Sequence, residues 1–166
     1  MEHSEQSDAA AANAALRTMK SALLIYVTEE QAAAAEFAKV LAEEQAALLA
    51  GPVLDDLPAI VDRKSALIAR LSELALQRER CLQALGHGNG RAGMISAIEQ
   101  DSRLTAIWED LVRHASEARS RNVTNGMLVR TRLDYNQRAL NVLRDACGIA
   151  PVAIYGPDGR MPASIR

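Results

Sequence analysis

The chain has 166 residues, one domain's worth and long enough for a real hydrophobic core. Apolar residues make up 49% but aromatics only 3%, so alanine and leucine supply most of the apolar content, as in helical bundles rather than sheets. With 19 basic and 21 acidic residues the net charge is −2, which leaves no electrostatic footprint for nucleic acid.

The first helical pattern runs from about residue 13 to 50. Its apolar positions are Leu16, Met19, Leu23, Tyr26, Ala33, Phe37, Val40 or Leu41, and Ala47 or Leu48, in steps of three and four along one face. Gly51-Pro52 stops it, because Gly tolerates the left-handed C′ conformation and Pro cannot continue a helix. Asp55 or Asp56 can cap the next helix, with Pro58 in its first turn.

That second helix, about 56–85, carries an unbroken heptad seam: Leu57, Ile60, Lys64, Leu67, Leu71, Leu74, Arg78, Cys81 and Leu85. A short connection forces the two helices to run antiparallel. Setting Leu41 against Leu67 brings Phe37 to Leu71, Leu23 to Leu85 and Leu48 to Ile60. The same register sets Glu44 against Lys64 and Glu30 against Arg78, so two basic interruptions of one seam meet two acidic interruptions of the other. Each basic residue either snorkels to solvent or joins a pair that fixes register, as polar seam residues do in coiled coils.

Gly86–Gly93, GHGNGRAG, reads as a flexible connection. It contains Gly88-x-Gly90-x-x-Gly93, formally the dinucleotide fingerprint, but it follows a helix and not the strand that such a site requires. Ser96-x-x-Glu99 has the form of a capping box for a third helix, about 95–146, though Gly93 allows an earlier start. Ile98, Leu104, Ile107, Trp108, Leu111 and Ala115 make its apolar stripe, which turns polar through Asn122, Asn125 and Asn136 and apolar again at Leu140 and Leu143. At about 1.5 Å per residue that helix reaches roughly 75 Å, beyond what the hairpin covers. Residues 148–166 hold three prolines and three glycines and read as a flexible tail following a bundle of residues 1–147. The expected fold is thus all-α: an up-down antiparallel bundle of long helices whose N-terminal half is a coiled-coil-like hairpin.

No catalytic, metal or cofactor site emerges. Asp110, His114 and Glu117 share a helix face but read as a solvated strip, and the Glu-x-x-His motifs of a di-iron bundle do not occur. Cys81 and Cys147 lack metal-type spacing and read as reduced thiols. The longest strongly apolar run, Leu23–Val27, is far too short to span a bilayer, and the acidic start at Glu2, Glu5 and Asp8 lacks the basic region of a secretory signal. Function is therefore expected in surfaces.

Two stretches resemble the FlgN family of flagellar export chaperones. One is Leu41-Ala-Glu-Glu44 … Ala47-Leu48 with Leu57 … Lys64 … Leu67-Ile68 … Leu71 … Leu74 … Arg78, which is similar to the family's glutamate/lysine hairpin. The other is Trp108, Asn122-Val-Thr-Asn125-Gly126-Met-Leu128, Asn136-Gln137-Arg-Ala139-Leu140 and Leu143, followed by Ile154-Tyr155-Gly156-Pro157-Asp158-Gly159. The resemblance implies a cytoplasmic chaperone without cofactor. It would bind the C-terminal helices of hook-associated junction proteins (FlgK and FlgL type), keep them unpolymerised and deliver them to the type III export gate. It implies cargo contact through the third helix, for which Leu128, Leu133, Leu140 and Leu143 are the candidates, with burial inside the bundle as their other reading. It also places Tyr155 where the family's tail tyrosine contacts the export gate component FlhA. The competing class is a self-associating coiled-coil adaptor.

Overall fold

The computed structural model describes residues 2–50 and 57–147, with side-chain environments from residue 10 onward. Among these residues there are four helices and no strand: α1 (Glu2–Leu49), α2 (Leu57–Ala84), α3 (Gly90–Gln100) and α4 (Leu104–Ala146). The all-α antiparallel architecture expected from the sequence is present, with two differences in its elements. Helix α1 begins at Glu2 rather than near residue 13: no Gly or Pro interrupts residues 2–12, and Glu, Gln and the Ala9–Ala12 run favour helix, while acidic residues suit a helix N-terminus. The expected third helix is two helices, α3 and α4, separated at Asp101-Ser102-Arg103.

That break has a local cause. Asp101 adopts extended backbone (φ −143°, ψ 95°), and its Oδ1 accepts the Arg103 amide at 3.1 Å while its carbonyl accepts the Leu104 amide at 3.1 Å. A short acidic side chain has thus offered the backbone a turn in place of the helix ladder. Ser96 caps nothing. It lies inside α3, and its hydroxyl sits 3.0 Å from Nδ1 of the buried His87. The expected helix stop at Gly51-Pro52 and the expected cap at Asp55 or Asp56 lie outside the described residues. Pro58 stands in the first turn of α2, where its missing N–H leaves no helical bond unmade.

Glycines build the turn from α2 into α3. The amide of His87 bonds the Leu82 carbonyl at 2.8 Å and that of Gly86 the Gln83 carbonyl at 3.0 Å, a Schellman closure for which Gly86 takes φ +77°. Gly90, at φ +61°, opens α3, and its amide donates to Glu79 Oε2 at 2.9 Å. At Gly93 a Cβ atom would lie 1.6 Å from the Gly88 carbonyl oxygen, so only glycine fits this approach of helix to loop. The G-x-G-x-x-G spacing therefore serves a helix–turn–helix and not a strand–turn–helix.

By contact the chain divides into two units, Met1–Asn125 and Gly126–Arg166. In the first, Leu23, Val27, Cys81, Leu82, Met94, Ala97 and Leu104 form a buried cluster, with Trp108, Ile107 and Leu85 against it. A smaller cluster joins Ala38, Leu41 and Phe37 of α1 to Ala118 of α4. These contacts run α4 parallel to α1. The buried residues of α4 are Leu104, Leu111, Ala118 and Asn125, each seven positions after the last, so one heptad position supplies the docked face. On α1 the fully buried line passes through Val27 and Ala34 rather than Tyr26 and Ala33, which are half-buried, while Leu16 and Met19 are exposed. The second unit is described through residues 126–147, where α4 continues with every position from Leu133 onward exposed.

Candidate functional site

Three arrangements stand out, two polar and one apolar. Lys64 Nζ lies 3.1 and 3.0 Å from the two carboxylate oxygens of Glu44. The acid is buried and the lysine half-buried, so the pair is partly withdrawn from water. Asn125 of α4 completes it: its Nδ2 donates to Glu44 Oε2 at 2.8 Å and to the Leu41 carbonyl at 2.9 Å. The sequence offered no sign of this third partner, because a heptad reading of the hairpin does not place α4.

Two heptads away, Arg78 NH1 lies 3.1 and 3.0 Å from the Glu30 carboxylate oxygens, and NH2 donates to Glu79 Oε1 at 3.1 Å. The guanidinium also stacks over Trp108, 5.3 Å from the ring centroid, in cation–π contact. Glu79 in turn accepts the first amide of α3, so one arginine links all four helices. Burial lifts the Glu30 carboxyl above its ordinary value, with the facing Arg78 pulling the other way and Glu79 adding to the rise. Burial likewise pushes the Cys81 thiol up, whereas Cys147 is exposed.

On the flank of the hairpin a second set of pairs repeats every seven residues of α1. Glu29 meets Arg70, while Glu36 and Glu43 both reach Arg63, at 3.4 and 2.6 Å. In all these pairs between the two helices α1 supplies the acid and α2 the base.

The third arrangement is the surface of α4 within the second unit. Leu133, Leu140 and Leu143 are 62%, 52% and 61% exposed. At about 100° per residue they fall on one face spanning roughly 80°, and Val129 lies on the same stripe. Leu128 is half-buried and sits about a third of a turn from Leu140, on the side that carries Asn125. Leu128 is also about 60° from Leu143, so three of the four candidate leucines are exposed and the fourth lies half-buried at the edge of the same face. Tyr135 and Val142 add exposed apolar area at 72% and 66%. Tyr155 lies outside the described residues.

The remaining candidates are occupied by other contacts. Asp110 accepts from Arg113 at 2.7 Å and Glu117 from Arg121 at 2.8 Å, so both carboxylates flanking His114 are engaged by arginines. Among the described residues no group of three His, Cys, Asp or Glu could hold a metal ion, and no helix is long and apolar enough to cross a membrane. A cleft beside His87, bordered by Lys20, Leu23, Leu85 and Asp101, encloses about 10 Å³, about one water molecule's worth.

A helical bundle with charge-paired seams and an apolar helix face open to solvent belongs to the class of helix-based protein-binding modules. The family comparison makes that class specific. The model of the FlgN family (FlgN protein) matches residues 19–163, and the chain belongs to this family of flagellar export chaperones, a chaperone and not an enzymatic family. Members of the family bind flagellar hook-associated proteins. No curated protein and no solved structure matches the chain.

Proposed function

We propose that this chain is a cytoplasmic export chaperone for hook–filament junction proteins of the FlgK and FlgL type, presenting distal α4 to their C-terminal helices and docking through Tyr155 at the export gate component FlhA. One observation carries the cargo half of this reading: Leu133, Leu140 and Leu143 share one helix face, interrupted by Asn136, and each stays more than half exposed. Isolated exposed leucines are ordinary, but a stripe at helical spacing is the form in which one amphipathic helix receives another. Family membership supports the assignment of hook-associated proteins as cargo.

The self-associating adaptor is less well supported, because the hairpin seams already fill each other. A second α1 laid parallel and in register on the first would set glutamate against glutamate at positions 29, 30, 36, 43 and 44. Titrating the full chain with purified FlgK- and FlgL-type proteins tests the proposal. Leu133→Asp and Leu140→Asp are expected to weaken cargo binding more than tenfold with thermal stability unchanged, and Tyr155→Ala to abolish FlhA binding while sparing cargo. Cargo affinity unmoved by the aspartates would refute the cargo face, and gate affinity unmoved by Tyr155→Ala would refute the docking role.

A further inference from the structure

We propose that Asn125 is a register lock: its amide fixes the heptad in which α4 docks on the hairpin, and so determines which α4 residues stay available to a partner. The consequence for partners rests on the cargo reading given above; the lock itself does not.

Asn125 leaves part of its hydrogen-bonding capacity unused. It is 1% exposed, both Nδ2 protons are used, and Oδ1 is buried without a hydrogen-bond partner. A buried amide with half its capacity unmet stabilises less than an apolar side chain in the same space. Its content is therefore positional. The other three buried positions of α4, Leu104, Leu111 and Ala118, are aliphatic and discriminate little between registers seven residues apart, so beside Trp108 under Arg78 near the start of the helix the Asn125 amide is the polar contact that distinguishes them.

A slip of one heptad moves α4 by about 10 Å along α1. In one direction Asn125 enters the site of Ala118, against Phe37 and Ala38, where the buried amide meets apolar neighbours. In the other direction Ala118 enters the site of Asn125, and Glu44 loses its third hydrogen bond. Only the observed register gives the amide an acceptor on each proton. Glu44 is thereby read twice, by Lys64 of α2 and by Asn125 of α4, so one carboxylate ties the register of both helices to α1.

The test uses the full chain with Cys81→Ala and Cys147→Ser, spin-labelled at Lys39→Cys on α1 and Glu109→Cys on α4, both exposed positions. With Asn125 present one distance population is expected. Asn125→Leu is expected to keep or raise the melting temperature and to add a second population displaced by one heptad. If half the molecules slip, affinity for a FlgK-type junction protein falls about twofold. Asn125→Ala, which fits without repacking, serves as a second variant with the same expected split. A single unchanged distance in both variants, or a lower melting temperature with the distance unchanged, overturns the lock. A split population with unchanged cargo affinity leaves the lock standing and overturns the reading that distal α4 receives cargo.

Discussion

Replacing Glu44 by alanine removes a carboxylate that holds two helices at once, and the size of the loss follows from the geometry. Lys64 lies within 3.1 Å of both carboxylate oxygens, with side-chain exposures of 21% and 8% for base and acid. A fully exposed pair contributes about 0–1 kcal/mol, whereas breaking a buried pair by removing one partner costs about 3–5 kcal/mol. The partial exposure of the lysine lets its ammonium reach water once the acid is gone, which places Glu44→Ala near 3 kcal/mol. Lys64→Ala is expected to cost less, near 2 kcal/mol, because Glu44 keeps its hydrogen bond from Asn125. If the double variant costs about 3 kcal/mol, the coupling is about 2 kcal/mol, well above the additivity error for independent sites. Urea denaturation followed by helical circular dichroism on all four proteins measures it. A coupling below about 0.3 kcal/mol would show that the pair acts as two solvated charges and would refute the reasoning.

Gly93→Ala is expected to destabilise by at least 3 kcal/mol or to displace α3, since its Cβ would fall 1.6 Å from the Gly88 carbonyl; hydrogen exchange in α3 unchanged from wild type would contradict this. For Glu30 the folded carboxyl titrates above its unfolded value, so the folded state holds more protons in that window and stability contributed by this group falls as pH rises through it. The stability of Glu30→Gln relative to wild type should therefore improve from below the ordinary glutamate range toward neutral pH. A relative stability independent of pH across that interval would oppose the assignment. Cys147 is expected to react with a thiol reagent in the native protein and Cys81 only on unfolding, which a stopped-flow titration reads directly as one fast equivalent and one slow.

The hairpin was legible because three independent signals agreed: a short connection, a heptad seam in α2, and charges at Lys64 and Arg78 with acids opposite. The phase of α1 was harder to read. Ala32, Ala33, Ala34 and Ala35 are consecutive and offer no contrast between neighbouring faces, so the choice of Ala33 over the buried Ala34 had nothing to rest on. The break at Asp101 was obscured by Ser96 and Glu99, whose spacing imitates a cap, while Asp101-Ser102 carried the turn chemistry. The link from Asn125 to Glu44 needed the placement of α4, which depends on the glycine turn and the Asp101 turn together. The leucines were visible as residues, but that Leu133, Leu140 and Leu143 stay exposed while Leu128 is half-buried required the packing of α4.

The distribution of charge explains how one chain can keep a large apolar helix surface without consuming it. In the pairs that join them, α1 carries the acids and α2 the bases, so the hairpin is satisfied internally and repels a second copy of either helix laid on its like. The fully buried residues of α4 come one per heptad, and two of the four are an alanine and an asparagine. Such a seam buries little apolar area and gives weak attraction for its own length, which by itself would let α4 slide toward the larger side chains it carries further on. The polar contact of Asn125 with Glu44 and the Leu41 carbonyl opposes that movement with direction rather than strength. A bundle built this way gives up stability where α4 docks, and what it retains is one register for the docked part of that helix.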